Sequence, residues 1–183
     1  LSAETPSLPH GLRLVSVELR AGSAKGGAKM AAWIPKTSRR TVVAEVMNGS
    51  DVVGCHDGTV YFTNPHENKI MMIRKGSGKA TSVDDFRNPN GLTLSADQTM
   101  LFVGHFPGRF IYSYTINDDR TLANKQEYYY MHVPSNSPEG HHDGIFLLPS
   151  RRPASPPELG LQIFQQLGRM HRNLSKPSLA QRP

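Results

Sequence analysis

The sequence is poor in cysteine and lacks long apolar runs. Cys55 is the only cysteine, so no internal disulfide and no cysteine-based metal site is expected. No run of 18 or more apolar residues occurs, so no membrane span is expected either. The N-terminus has neither an initiator methionine nor the apolar stretch of a signal peptide. We therefore expect a fragment, a processed product or an incomplete reading frame, and the sequence leaves the cellular compartment open.

Aromatic and acidic residues are scarce at both ends of the chain. Only Trp33 and Phe164 among the aromatic residues lie outside residues 41–148. Residues 1–40 and residues 149–183 each carry a net charge of +5, whereas the middle segment carries −4. Since a core needs large apolar side chains, the folded domain is predicted at 41–148. The first segment is a Gly/Pro/Ser-rich basic flank expected to be disordered, and the last is a Pro-rich basic tail.

The overall charge does not identify a nucleic-acid partner. The chain has a formal net charge of +6 and a pI near 9.6, and such values ordinarily suggest nucleic acid or an anionic membrane. Here the positive charge belongs to the two ends, and no recognition motif accompanies it. We expect no nucleic-acid partner.

An internal repeat with an offset of 40 residues occupies the middle of the chain. SDVVGCHDGTVYFTN (residues 50–64) aligns with NGLTLSADQTMLFVG (residues 90–104), and a third copy begins at Asp143 in DGIFLLPS. The aligned pairs are Val52 with Leu92, Asp57 with Asp97, Tyr61 with Leu101, Phe62 with Phe102, Lys69 with Arg109, Ile70 with Phe110, and Met71 with Ile111. The constant offset indicates one structural unit repeated along the chain.

Each copy has the pattern of four short strands separated by turns. In the first copy the strands are VVG, TVYFTN, KIMMIR and ATSVDDF. Four strands in a unit of about 40 residues are typical of a β-propeller blade. Asp57 and Asp97 fall in hairpin turns, where Asp serves turn geometry rather than catalysis. The sequence predicts an all-β fold with two blades and the start of a third; an irregular β-sandwich without true repeats is the alternative.

The same residues resemble a known family. NPNGLTLSADQTMLFVGHF, IYSYTINDDRTLANKQEYYYMHVP and the Asp-Gly of HHDGIF look like the senescence-marker-protein/gluconolactonase family, to which strictosidine synthase is more distantly related. SDVVGCHDGTVYFTNP looks like the blade that precedes the Pro-Asn-Gly motif. The resemblance covers about residues 42–146. It implies a six-bladed propeller, of which this chain would hold an incomplete part.

Three residues hold equivalent positions in the repeat: Ser50, Asn90 and Asp143 each directly precede an innermost strand. Because innermost strands surround the central channel of a propeller, these side chains are expected to converge on one point. Convergent oxygen donors suit a hard divalent cation, with calcium the first choice and zinc or magnesium as alternatives. In the resembled family an Asn of Pro-Asn-Gly and an Asp of Asp-Gly help to hold the metal. The resemblance implies these roles for Asn90 and Asp143, with Asp143 also the catalytic base.

The resemblance implies metal-dependent hydrolysis of a sugar-type lactone, with two departures from the family pattern. The family places a second Asn where this chain has Ser50, whose hydroxyl is a poorer and shorter ligand, although Asn48 or Asp51 could compensate. The family also has a Glu early in the first blade, and neither Glu4 nor Glu18 stands in that context. We therefore expect impaired activity. The alternative is a non-catalytic propeller fragment that binds a metal or a partner.

Three histidines are further candidates. His141 and His142 directly precede Asp143. As substrate-binding residues they would line the mouth of the channel, or they would contribute an imidazole to a metal. The alternative is that both are polar residues of an exposed loop. His105 ends a strand of the second copy and is interpreted as a loop histidine.

The C-terminal tail contains an apolar stripe at helical spacing, formed by Leu159, Ile163, Leu167, Met170 and Leu174. A short basic amphipathic helix that docks on a membrane or a partner is one interpretation. A disordered extension is the other.

An open array of blades predicts self-association. Without neighbours, apolar positions such as Phe102 and Ile111 would lie on uncovered blade faces. Exposed apolar patches and strand edges favour association. We therefore expect the chain to self-associate through these faces.

Overall fold

The computed structural model describes residues 14–19, 27–34, 39–47, 49–136, 144–148, 150–157, 159–165 and 168–175. Within these ranges the chain forms fifteen β-strands and no helix. None of the described residues therefore forms a helix that could cross a membrane. The all-β prediction is confirmed.

The strands form four antiparallel sheets, each built from consecutive strands. The first sheet contains β1 (Leu14–Leu19), β2 (Gly27–Ile34) and β3 (Arg39–Met47). The second contains β4 (Val52–Gly54), β5 (Val60–Asn64), β6 (Lys69–Ile73) and β7 (Ala80–Asp85). The third contains β8 (Pro89–Leu94), β9 (Met100–His105), β10 (Phe110–Ile116) and β11 (Leu122–Tyr130). The fourth contains β12 (Phe146–Leu147), β13 (Pro153–Ser155), β14 (Leu161–Phe164) and β15 (Met170–Leu174).

The first strands of the second, third and fourth sheets lie side by side. β8 contacts β4 on one side and β12 on the other, as innermost propeller strands do. The first sheet has three described strands, and its last strand, β3, is followed in the chain by β4, as β7, the last strand of the second sheet, is followed by β8. The described strands of the first sheet therefore correspond to the outer three strands of a blade.

Each interface between neighbouring sheets holds its own apolar core. Successive side chains of a strand point to opposite faces, so one strand serves two cores: Tyr61 of β5 packs toward the third sheet and Phe62 toward the first. Each large apolar side chain so buried contributes roughly 1.5–3 kcal/mol. The core between the second and third sheets includes Cys55, Tyr61, Ile70, Met72, Phe86, Leu92, Leu94, Leu101, Val103 and Tyr114. The core between the third and fourth includes Phe102, Ile111, Tyr129, Met131, Ile145 and Phe164.

The hairpin turns of the second and third sheets differ in length by one residue. After β4 the amide of Cys55 donates to the carbonyl of Thr59 (2.7 Å), whereas after β8 the amide of Ser95 donates to that of Met100 (2.9 Å). The extra residue changes the correspondence between the two sheets by one residue for every strand that follows the turn. A shift of one residue turns every side chain of a strand to the other face.

The sequence alignment is therefore wrong by one residue beyond this turn. Tyr61 and Phe102 each face the following sheet, whereas Leu101 faces the preceding one. An offset of 40 holds up to the turn and an offset of 41 beyond it. The corrected pairs are Val60 with Leu101, Tyr61 with Phe102, Phe62 with Val103, Lys69 with Phe110, Ile70 with Ile111, and Met71 with Tyr112.

The structure has strands where the sequence left a short amphipathic helix or a disordered extension as alternatives. In β14 the side chains of Gln162 and Phe164 are buried while their neighbours are half-buried, which is the period of a strand. Gly160 (φ +119°) and Gly168 (φ +83°) adopt left-handed conformations that end the strand on both sides. Gln162 also clamps the chain after β11: its Oε1 accepts from the amide of His132 (2.9 Å) and its Nε2 donates to the carbonyl of His132 (2.5 Å). The blade that starts at Gly144 is thus completed by residues assigned to the tail.

Strands also occur inside the flank predicted to be disordered. β1 and β2 lie within residues 1–40. The sequence of β1, LVSVEL, alternates apolar Val15 and Val17 with polar Ser16 and Glu18, the pattern of a strand. Composition averaged over 40 residues concealed this short signal.

The two positions expected on an uncovered face are buried. Phe102 is 4% exposed and Ile111 fully buried, because the fourth sheet covers them with Ile145 and Phe164. The large apolar side chains exposed in the fourth sheet are Phe146 and Leu174. Self-association stays a prediction, with this sheet in place of the third.

Candidate functional site

The candidate site lies where the innermost strands begin. Each of these sheets has four antiparallel strands, so the chain leaves a sheet at the end where its first strand began. The strands β4, β8 and β12 therefore all begin at the same end of their sheets. We call this the entry edge. It carries Ser50 and Asn90, and β12 follows shortly after Asp143.

The backbone before β4 is fixed by a buried threonine. The amide of exposed Ser50 donates to the carbonyl of Thr63 (2.9 Å), and the amide of Asp51 donates to the hydroxyl of Thr63 (3.1 Å). The amide of Thr63 donates back to the carbonyl of Asp51 (3.0 Å). Thr63 is fully buried. Ser50 and half-buried Asp51 are therefore held at the entry edge of an innermost strand.

Asn90 lies at a β-bulge. The pairing of β8 with β9 shifts register between Pro89 and Leu92, which places the irregularity at Asn90 and Gly91. Bulges change the direction in which a side chain points and are common beside functional sites. Asn90 is half-buried, and Gly91 is buried.

Gly91 packs directly against the start of the fourth sheet. A Cβ atom on Gly91 would overlap the backbone of Gly144 and Ile145. Only glycine permits this approach. The Asn-Gly of the third sheet and the Asp-Gly that precedes β12 thus meet through their glycines.

Gly144 is itself well fixed. It has a φ of +78°, and its carbonyl accepts from the hydroxyl of fully buried Ser155 (3.0 Å). Asp143, His141 and His142 lie outside the described residues, so their predicted roles stay predictions.

The side-chain donors at the entry edge are oxygen atoms, the type of ligand that a hard cation binds. The amide oxygen of Asn90, the hydroxyl of Ser50 and the carboxylate of Asp51 are the oxygen ligands that calcium and magnesium prefer, whereas zinc sites usually include nitrogen or sulfur. Among the described residues, no cluster of three or more His, Cys, Asp or Glu side chains is arranged to hold a metal.

Glu18 lies on β1, a second strand. It does not occupy an innermost strand.

His105 is part of the strand and not a loop residue. It ends β9 opposite Pro89 and lies half-buried at the entry edge. Its ring meets Phe86 edge-on (6.0 Å) and Tyr112 (6.2 Å). Burial, followed by the charges of Arg87 and Lys125, lowers the pKa of His105. The neutral imidazole is favoured there.

The aspartates of the hairpin turns serve the turns, as predicted. Asp57 Oδ1 accepts from the amide of Thr59 (2.9 Å), and Asp97 Oδ1 accepts from the amide of Thr99 (3.2 Å). These turns lie at the edge opposite the entry edge, since they follow β4 and β8. A catalytic role for either aspartate at the entry edge is thereby excluded.

Sequence reasoning missed two residues that join the second and third sheets. Gln98 (φ +59°) accepts at Oε1 from the amide of His56 (2.8 Å), and Arg120 (φ +69°) pairs through Nε with Asp57 Oδ2 (2.8 Å). Positive φ in a turn normally selects glycine, as at Gly58. The sequence signal that could have identified Gln98 and Arg120 was a residue other than glycine at a turn position where glycine is usual.

No protein-family model matches the chain, and no curated protein matches it. It is similar to the solved structure of a gluconolactonase from Xanthomonas campestris, with a TM-score of 0.67 and 17% identity, over 90% of this chain and 59% of that one. A virginiamycin B lyase from Staphylococcus aureus matches with a TM-score of 0.58 and 16% identity, over 98% and 60%. The calcium-binding protein regucalcin from Agrobacterium tumefaciens matches with a TM-score of 0.58 and 14% identity, over 84% and 58%.

These similarities establish the fold. The chain has the architecture of β-propeller proteins of the gluconolactonase and regucalcin kind, and it spans about 60% of the length of each of these structures. One of the three is named a lyase and another a calcium-binding protein, so a shared propeller does not define one activity.

Proposed function

We propose that this chain is the part of a lactonase-type propeller that carries its hydrolytic centre, acting on a sugar-type lactone. The observation that carries the proposal is the packing of Gly91 against Gly144 and Ile145. It brings the start of β8, with Asn90, against the start of β12, which Asp143 precedes by three residues. An amide oxygen and a carboxylate on neighbouring innermost strands are suited to act on one bound molecule.

In the proposed reaction Asp143 acts as general base. Its carboxylate takes a proton from water as the water oxygen bonds to the lactone carbonyl carbon. The ring C–O bond then breaks, and the same proton passes to the departing alkoxide, which leaves a hydroxy acid. Asn90 would orient the substrate and, with Asp143 and Ser50, hold a divalent cation, calcium first among the candidates. When bound, such a cation polarises an ester carbonyl.

The donor set predicts low activity. Ser50 is exposed and offers a neutral hydroxyl, and Glu18 is not on an innermost strand. Calcium usually has six to eight oxygen ligands, more than these side chains provide. Weak affinity and slow turnover are the expected behaviour of the chain by itself.

Paired variants test this proposal. Asp143→Asn should abolish hydrolysis of glucono-1,5-lactone, followed as acid release, and should weaken calcium binding in calorimetry more than Asn90→Ala. Asp118→Asn is the matched control, because Asp118 is exposed in the turn between β10 and β11 at the opposite edge. Hydrolysis that survives Asp143→Asn would refute the mechanism. Absence of both calcium binding and turnover in the unaltered chain would favour the non-catalytic propeller fragment.

A further inference from the structure

A cavity lies between the third and fourth sheets, and the turns that line it are at the edge opposite Asn90. It has a volume of about 330 Å³, which is within the range of small-molecule sites. Its lining includes the turn after β8 and the turn after β12. Since both turns follow innermost strands, the cavity is separate from the entry edge.

Three aromatic residues line the cavity, of which Tyr128 is half-buried and Phe102 and Tyr129 are buried. The ring of Phe102 is tilted against those of Tyr128 (5.8 Å between centroids) and Tyr129 (5.3 Å), and the two tyrosine rings meet edge-on (4.8 Å). Leu147 and Pro153 of the fourth sheet complete the apolar surface. This surface suits an apolar or aromatic group of a ligand.

The two sheets place charges of opposite sign around this surface. Asp97 comes from the third sheet and Arg151 from the fourth. Asp97 Oδ1 accepts from the hydroxyl of Ser95 (2.5 Å) and from Thr99. These bonds all use one carboxylate oxygen and leave Oδ2 for a ligand.

Arg151 is held by its backbone rather than by an ion pair. Its amide donates to the carbonyl of Leu148 (2.8 Å), and its φ is +61°. None of the ion pairs among the described residues includes its guanidinium. That group is placed to receive an anion.

We propose that this cavity binds a free α-amino acid with a large apolar side chain. The carboxylate would meet Arg151 and the ammonium would meet Asp97. The side chain would lie on the half-buried lining residues Tyr128, Met100 and Leu147. A ligand with only a carboxylate would leave Asp97 unpaired and close to a like charge, and a purely cationic ligand would do the same to Arg151. A zwitterion matches both walls.

Three related probes test the charge requirement. L-phenylalanine, 3-phenylpropionate, which lacks the ammonium, and 2-phenylethylamine, which lacks the carboxylate, are titrated into the full chain by NMR. Since both protein charges are exposed, each ion pair should change affinity by about 1.4- to fivefold. L-phenylalanine should bind most tightly. Equal affinities for the three probes, or no saturable binding of L-phenylalanine, would overturn the proposal.

Charge-removing variants locate the site. Arg151→Gln and Asp97→Asn should each weaken L-phenylalanine binding, and Asp97→Asn keeps an oxygen for the Thr99 bonds. Arg169→Gln is the control for the first variant, because Arg169 is exposed elsewhere in the fourth sheet. Asp119→Asn is the control for the second, since Asp119 Oδ1 accepts from Thr121 in the same kind of turn outside the cavity. Binding affected equally by variants and controls would also overturn it, and exposed Arg151 keeps the test valid if Asp97→Asn misfolds.

Discussion

The two interfaces on either side of the third sheet are built differently. Toward the second sheet, polar bonds surround the apolar core: the hydroxyl of Tyr114 donates to Asp84 Oδ2 (2.7 Å), and Lys125 Nζ lies 2.9 Å from the same oxygen. Lys125 also stands over the ring of Phe86, 4.6 Å from its centroid. Toward the fourth sheet, the contact is mainly aromatic and contains the 330 Å³ cavity.

The interface of the second and third sheets is built for stability, and that of the third and fourth sheets for ligand binding, although both use the same repeated unit. A closely packed interface with satisfied polar bonds has one arrangement and resists opening. An interface that contains a cavity has fewer contacts per wall atom and can gain them from a ligand. We therefore expect the third and fourth sheets to separate before the second and third do.

The largest expected effect is at the aromatic interface. Phe164 is fully buried against Tyr129, with ring centroids 4.9 Å apart. Phe164→Ala should lower the free energy of unfolding by about 3–5 kcal/mol, since it enlarges a region that already contains a cavity. Urea denaturation measures the loss. A change below about 1 kcal/mol would mean that the fourth sheet does not pack on the third.

Gly91→Ala should act next most strongly, at the inner end of the same interface. The added methyl group meets backbone atoms of Gly144 and Ile145, which cannot rotate away, so the cost is about 3 kcal/mol. Gly76→Ala is the control, because Gly76 has a φ of +73° but no atom within 4 Å of the place an added methyl group would take. Its cost should be backbone strain alone, about 1 kcal/mol. Thermal melts in which the two variants behave alike would contradict the close approach of β8 and β12.

Local patterns in the sequence were enough to predict the strands of the second and third sheets. Period-two runs bounded by Asp, Gly and Pro turns identified them, and the repeat placed Ser50 and Asn90 at equivalent strand starts. The register beyond the first turn was not predictable in this way. The apolar strand that follows the turn shows the same kind of residues whether or not the turn contains an extra residue before Met100. It becomes visible only when Phe102 and Leu101 are seen to face different sheets.

The fourth sheet was missed for a related reason. Residues 159–174 satisfy a helical stripe by coincidence, and the signals against a helix are Gly160 and Gly168. For the candidate site, the sequence predicted only where Ser50 and Asn90 lie along their strands. The contact of Gly91 with Gly144 depends on how two blades pack, and no single-strand pattern encodes that distance.

At the polar interface a smaller effect is expected from Tyr114→Phe. The change removes the hydroxyl that donates to Asp84, and burial, aided by that bond, raises the pKa of Tyr114. Because the acceptor is charged but keeps Lys125 as a partner, the loss should be about 1–2 kcal/mol. Tyr130→Phe is the control, since Tyr130 is 42% exposed and its hydroxyl accepts from Arg109 Nη1 (3.1 Å), directly before β10 in the same sheet. A loss at Tyr130 equal to that at Tyr114 would show that the polar bonds between sheets add nothing.

The smallest expected effect is a dependence on pH at the polar interface. The pKa of His105 is lower in the folded chain than the usual 6.5, so the unfolded chain binds more protons between these two values. The stabilisation from neutral His105 is therefore complete above about pH 6.5 and is lost as the pH falls through the folded pKa. Asp97 and Asp119 also have lowered pKa values, but they respond around and below pH 4. Urea denaturation at pH 7 and pH 5 should show a decrease that His105→Gln reduces and that His66→Gln, at an exposed turn, does not. If His105→Gln keeps the full pH dependence, protonation of this histidine does not weaken the contact between the second and third sheets.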